Sequence, residues 1–370
     1  MTTIDTDGDR FATRVRELDW MMLAVTALAC IGLVMAVSVQ SVELDSDPML
    51  AMRSQGTKLA VGIVAFLLAA IVPMQLVWRT APWLFLLTTG GVYAAAFFGP
   101  DWNHAHRWIS IGGYSFQPVD FARLALILAT ARAITIALEE PRRWFLHLFL
   151  CLGPAGVLAF GLFQQPDKGN ALLVTLLAVG MVAVSGVAFW SLIACALGMV
   201  PVLAAALLAD KYSRDRIDGF FGDHPFQVRQ SLQAFEHGGL VGEGIGGGWH
   251  KMGHVPEAQN DFVFAIVGEE LGFLGSVAVL AAFTLFGVVC FRLALKMQDP
   301  FHRYVVLGCS VAICAQALIN MLVTTGAAPA KGIDLPFVSS GGTNLMASFG
   351  AVGLIGNAAR ADRVGEFAER

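Results

Sequence analysis

The stretch VPEAQNDFVFAIVGEELGFLG, residues 255–275, places Asp261 at the head of an apolar run and Glu269 and Glu270 inside it. Carboxylates in a lipid-soluble run are costly to bury in ionised form, so each needs a reason. Asp261 admits two. It is a functional acid at a membrane boundary, or it caps the helix that follows by accepting backbone N–H bonds. Glu269 follows eight residues later, roughly 12 Å deeper at helical rise. Neither it nor Glu270 can face lipid cheaply, so both are expected to pair inside the bundle as structural charge. Gly268, Gly272 and Gly275 lie close together on that helix surface, as small residues do where membrane helices pack tightly.

Cations that could answer those carboxylates are few. Arg107 opens RWISIGGYSFQPVDFARL (107–124), in which Asp120 and Arg123 stand three apart on one helix face and can neutralise each other. In QQPDKGN (164–170) a tight turn accounts for Pro166, Asp167 and Gly169 but not for Lys168. Arg214, Arg216, Arg229 and Lys251 make the segment 210–260 basic enough to face anionic head groups. Within it VRQSLQAF reads as a short interfacial helix with Phe226, Leu232 and Phe235 as apolar contacts. GGLVGEGIGGG (238–248) permits close backbone approach to a ligand or serves as a loose connector, and it has no Walker spacing. APAKGIDLPFVSSGGTN (328–344), which holds Lys331 and Ser339, is irregular backbone of the kind tolerated at membrane depth only when buried in protein or lining a cavity. No metal-ligand spacing, nucleophile elbow or covalent triad is visible, and His104 with His106 makes no site.

The elements that must position these residues follow from composition. The chain has 370 residues, 56% hydrophobic and 14% charged, with mean hydropathy +0.66, which indicates an all-α polytopic membrane protein. A net charge of −4 excludes a nucleic-acid partner on electrostatic grounds. The six cysteines lie in apolar runs and carry no disulfide signal. Ten runs approach the roughly 20 residues a span requires: 20–42, 57–76, 81–99, 117–138, 144–163, 169–187, 189–209, 261–292, 303–325 and 343–359. With the N-terminus inside, thirteen Lys and Arg fall on the cytoplasmic side against five in the short outer loops. The expected organisation is therefore a cytoplasmic segment 1–19, a ten-span domain 20–359 and a cytoplasmic tail 360–370. The large extracytoplasmic loop 210–260 joins spans seven and eight. Its length marks a functional loop, and the distinctive residues gather on that outer face.

Five segments in chain order, HRWISIGGYSFQPVDFARL, QPDKGNALL, FQVRQSLQAFEHGGLVGEGIG, VPEAQNDFVFAIVGEELGFLG and PAKGIDLPFVSSGG, resemble the SEDS family (shape, elongation, division and sporulation) of peptidoglycan glycosyltransferases. The likeness covers nearly the whole chain. Trp249-His250-Lys251 after the glycine run is closer to the FtsW-like division branch than to the RodA-like elongation branch. The resemblance implies polymerisation of lipid II on the outer face of the cytoplasmic membrane, at the division septum. The family's essential outer-loop acid maps onto Asp261, where a positioned carboxylate can take the proton of the attacking sugar hydroxyl. The departing lipid pyrophosphate needs cationic support, for which Arg107, Arg123, Lys168 and Lys251 are the local supply. Asp120 and Arg123 stand where the family has a Glu and a Lys. Glu257, Lys331 and Ser339 complete the substrate-binding set that the resemblance implies.

Three features depart from the family pattern. Gln259-Asn260 replaces a usual His-Thr, Ser339-Ser340-Gly341-Gly342-Thr343-Asn344 replaces Ser-Tyr-Gly-Gly-Ser-Ser, and Lys168 replaces an apolar residue. No protein-held metal is expected, and a divalent cation, Mg or Mn, is the one cofactor the chemistry admits. The partners implied are a class B penicillin-binding protein, the transpeptidase, together with other division proteins. Three other readings stay open at this level: an elongation-type polymerase, a flippase for the lipid-linked precursor, and a non-catalytic division scaffold. The clustering of distinctive residues on one face and the lack of an inverted repeat weigh against a transporter.

Overall fold

The computed structural model describes residues 5–43, 48–101, 106–112, 114–140, 144–186, 219–220, 222 and 224–364. In lipid every backbone polar group must be satisfied within its own element, so the apolar runs become helices. They are α1 (Asp5–Glu43), α2 (Pro48–Ile71), α3 (Met74–Phe98), α4 (Pro118–Glu139), α5 (Trp144–Gln164) and α6 (Lys168–Ser185), then α7 (Phe226–Gly238), α8 (Val263–Glu270), α9 (Gly272–Leu295), α10 (Pro300–Thr324) and α11 (Gly342–Val364). Among the described residues, seven helices are long and apolar enough to cross a membrane. The expected span at 189–209, the loop residues Arg214 and Arg216, and His104 lie outside the described residues.

Several boundaries differ from expectation, among them the start of α2, nine residues ahead of the expected 57, and two of the differences have a clear local reason. The α1 helix already begins at Asp5, so the polar start of the chain is helical ahead of the apolar stretch Val15–Gln40. The break between α2 and α3 falls at Pro73 (φ −58°, ψ 130°), not between 76 and 81, because proline cannot continue a helix and pushes its predecessor to extended backbone. The run 261–292, read as one span, is two helices. Gly272 adopts φ +69°, a left-handed conformation that ends α8 and starts α9. Glu269 and Glu270 therefore sit at the end of an eight-residue helix, about two turns long, ahead of the long apolar one. A small antiparallel hairpin, β1 (Ile109–Ile111) with β2 (Tyr114–Phe116), precedes α4, its register pairing Ile109 with Phe116.

Two compact units are interleaved along the sequence. One comprises residues 1–65, 211–293 and 313–349; the other comprises 66–210, 294–312 and 350–370. In the first, α1 lies against the segment before α11, since a Cβ on Gly32 would come within 2.8 Å of Val338 Cα. Phe337 joins Phe286 and Phe349 in edge-on ring contacts at 6.5 and 5.5 Å. The expected interfacial helix forms as α7. It buries Val228, Ser231 and Ala234, Phe235 packs on Phe264 at 5.6 Å, and Phe226 remains exposed. The second unit has its core in Phe85, Val92, Leu126, Leu158, Leu162 and Val174, from α3, α4, α5 and α6.

Candidate functional site

Asp261 is the last residue but one in a run of turns and bends from Trp249 to Phe262. The N–H groups of Asn260 and Phe262 donate to Glu257 O at 3.0 and 3.2 Å, and Asn260 Nδ2 donates to Glu257 Oε2 at 3.0 Å. Glu257 itself takes φ +55° and is exposed. What fixes the acid is the next layer. Three successive carbonyls each receive a donor from elsewhere in the chain. Gln259 O accepts Ser340 N at 2.9 Å, Asn260 O accepts Ser339 Oγ at 2.6 Å, and Asp261 O accepts Asn320 Nδ2 at 2.8 Å. The same Asn320 amide donates to Ile333 O at 2.7 Å, and Ser339 Oγ accepts Leu335 N at 2.7 Å. The backbone of the acid is thus tied to α10 and to the segment before α11, while its side chain remains half-buried. That side chain lies over Gly332, where a Cβ would stand 2.5 Å from Asp261 Oδ2. The glycine next to Lys331 leaves the carboxylate its room. Asp261 is not the residue that caps α8, because Phe262 holds the N-cap position.

Ser339, expected at the substrate, is buried and commits its hydroxyl to the turn. The pair Gln259-Asn260 is held through its backbone carbonyls, which explains how the turn keeps its form with these side chains in place.

Glu269 and Glu270 are each about 1% exposed and are enclosed by the glycine-rich loop. Glu270 Oε1 accepts Lys251 Nζ and Ser38 Oγ, both at 2.6 Å, and Oε2 accepts Gly246 N at 3.1 Å. Glu269 Oε1 accepts Trp249 N at 2.9 Å and pairs with His250 Nδ1 at 2.8 Å. The loop follows the end of α8 closely, with Glu243 N on Glu269 O and Gly244 N on Glu270 O, both at 3.0 Å. Glycine at 242 allows this approach, since a Cβ there would meet Glu270 C at 2.5 Å and Gly272 N at 2.7 Å, and glycine at 248 leaves room for the Glu269 carboxylate. Lys251, expected among the cations for a leaving group, is buried with Nζ engaged by Ser38 and Glu270, so that neither buried charge is left without its partner.

In the second unit the remaining charged candidates form one chain of contacts. Arg107 Nη2 donates to Pro166 O at 3.1 Å and its Nε lies 3.7 Å from Asp167 Oδ2. Asp167 is the N-cap of α6, accepting Asn170 N at 3.3 Å and Asn170 Nδ2 at 2.8 Å. Asn170 Oδ1 accepts Arg123 Nη2 at 3.1 Å, and the same nitrogen reaches Asp120 Oδ1 at 3.4 Å. The expected Asp120–Arg123 pair therefore exists, but it is shared with Asn170. Lys168 occupies the first turn of α6, half-buried. Asp167 and Asn170 are the members that sequence reasoning left out. A Pro-Asp turn explained the first, and nothing in the pattern distinguished the second.

The comparisons agree with this architecture. The cell cycle protein family model FTSW_RODA_SPOVE matches residues 18–364. A probable peptidoglycan glycosyltransferase FtsW of Saccharophagus degradans is 33% identical over 92% of this chain and 92% of its own length. The protein of the same name from Alcanivorax borkumensis is 34% identical over 92% and 91%. Among solved structures, a chain from work on the structural coordination of polymerization and crosslinking by a peptidoglycan synthase complex superposes with a TM-score of 0.77. It is 25% identical and covers 92% of this chain and 97% of that one. The rod shape determining protein RodA of Thermus thermophilus gives a TM-score of 0.67 at 26% identity, covering 92% and 96%. Matched by the family model along nearly its whole length, and by relatives above the 30% level, the chain belongs to the FtsW/RodA/SpoVE family of cell cycle proteins.

Proposed function

We propose that the chain is a peptidoglycan glycosyltransferase of the FtsW type, joining lipid II units into glycan strands with Asp261 as general base. The observation that carries the assignment of the base is the threefold tether of its turn, from Ser340, Ser339 and Asn320, around a carboxylate that Gly332 leaves uncrowded. A half-buried acid whose position is set by its backbone can exchange a proton without losing its place. In the step, the acceptor sugar hydroxyl attacks the anomeric carbon of the donor and gives its proton to an Asp261 Oδ atom. The bond from that carbon to the pyrophosphate oxygen breaks, and the electron pair leaves with the lipid pyrophosphate. Glu257 and Lys331, in the same unit as Asp261, are the substrate contacts we assign beside it, and that charge needs cationic support.

Magnesium and manganese are held through one or two carboxylates together with substrate phosphates. Asp120, whose buried Oδ2 has no hydrogen-bond partner, is the carboxylate of its own unit that would suit such an ion.

The relatives' name and the synthase-complex likeness support two further parts of the proposal. The protein is a multi-pass component of the cytoplasmic membrane at the division septum, both termini cytoplasmic. It works beside a class B penicillin-binding protein and other division proteins, the transpeptidase cross-linking the strands made here. The test is polymerisation of lipid II by the purified full chain, with and without that transpeptidase. Glycan strands from wild type support the reading. No strands under either condition turn it toward a scaffold, and movement of the lipid-linked precursor without polymer turns it toward a flippase.

A further inference from the structure

His237, His250 and Glu269 come from three separate segments, the last turn of α7, the glycine-rich loop and the end of α8. One ligand atom of each lies within 4.8 Å of the other two. The rings of His237 and His250 are 4.9 Å apart between centroids. His250 Nδ1 and Glu269 Oε1 are 2.8 Å apart, close to the edge of a coordination shell. Bonds of about 2.0–2.1 Å at a tetrahedral ion put neighbouring ligand atoms roughly 3.3 Å apart. We propose that these three side chains form a site for a borderline divalent cation of the zinc type, fastening α7 and the glycine-rich loop to the end of α8.

The geometry assigns each residue a part. The ion replaces the proton shared by His250 Nδ1 and Glu269 Oε1, and the imidazole keeps its one proton on Nε2. Glu269 is already aimed by Trp249 N at 2.9 Å and His250 N at 3.2 Å, the outer hydrogen bonds that orient a ligating carboxylate. His237 is exposed, so its ring can swing the last ångström or two inward as the third ligand. Water takes the remaining position. Two imidazoles and one carboxylate suit zinc, nickel or copper, whereas magnesium prefers an oxygen shell. The site is therefore distinct from any ion at a pyrophosphate. The linear sequence shows no ligand spacing because the three groups meet only once the loop closes over α8.

The experiment uses the full-length protein in detergent, purified on a histidine-free tag, stripped with chelator and equilibrated with Zn(II) alone. Bound metal per chain is measured by elemental analysis, and the ligand field is read from the visible spectrum after Co(II) exchange. One zinc per wild-type chain is expected, with affinity lowered roughly tenfold or more by His237→Ala and by His250→Gln. His237→Ala changes an exposed side chain and leaves the buried cluster intact, and His250→Gln can still donate to Glu269. Wild-type protein that retains no stoichiometric zinc overturns the proposal, as does a smaller loss of affinity in His237→Ala.

Discussion

Asn320 holds Asp261 by its backbone, not by its carboxylate: Nδ2 donates to Asp261 O at 2.8 Å and, with its second hydrogen, to Ile333 O at 2.7 Å. The amide thus fixes the separation of the acid's turn from the segment carrying Lys331 and Gly332. Asn320→Ala leaves two carbonyls without their donor while the carboxylate survives. The rate constant for polymerisation should fall about ten- to a hundredfold, the scale of an ångström's misplacement, with KM little changed. Steady-state kinetics on lipid II separate the two. A KM effect alone would remove the positioning role.

Lys251 and Glu270 form a buried ion pair, with side chains 3% and 0% exposed. Removing one partner strands the other charge, a loss of about 3–5 kcal/mol. Lys251→Met should therefore lower the melting temperature of the detergent-solubilised protein well beyond Lys251→Met combined with Glu270→Leu. A double variant less stable than the single one would mean that the pair itself is not what the loop depends on.

Gly272 and Gly244 both have positive φ, +69° and +88°, but only one is crowded. A Cβ on Gly272 would meet the Leu240 backbone at 2.7 Å, whereas a Cβ on Gly244 would meet nothing within 4 Å. Gly244→Ala should cost about 1–2 kcal/mol, the left-handed penalty alone. Gly272→Ala should cost clearly more and expose the loop 239–252 to protease. Equal melting temperatures for the two variants would rule out the close approach.

Arg123 bridges Asn170 and Asp120 through one planar guanidinium nitrogen. Arg123→Lys keeps the charge but removes the planar guanidinium whose Nη2 makes both contacts. Polymerisation should drop about tenfold or more while the protein remains folded by circular dichroism. Activity equal to wild type would show that charge at this position is sufficient.

Much of the architecture was legible because lipid makes periodicity redundant. Long apolar runs have one structural outcome, and most expected spans are helices to within a few residues. The exceptions trace to single residues acting on the backbone. Pro73 sets a boundary that hydropathy alone places between 76 and 81, and Gly272 divides a run that hydropathy alone joins. ISIGGYSF alternates around a glycine pair, the signal of the hairpin that forms there amid helices. Of the site, the charged residues stood out because charge is rare in such a chain. The neutral ones did not. Asn320, Asn170 and Ser340 act through hydrogen bonds to residues 59, 47 and 81 positions away in sequence, and their composition signals nothing. Lys251 misled for the opposite reason: a cation in a glycine-rich loop looks available, and its partner Glu270 lies 19 residues on.

The most direct test of the central claim is lipid II polymerisation by Asp261→Asn beside wild type, with the transpeptidase partner present and equal protein in the membrane. The substitution keeps the size of the side chain and the carbonyl that Asn320 holds, and it removes only the basic oxygen. Wild type should make glycan strands and Asp261→Asn should lose at least about a hundredfold in rate, the lower range for a general base. Equal product from the two proteins would contradict the account and move the base to another carboxylate, with Asp120 or Glu257 next in line.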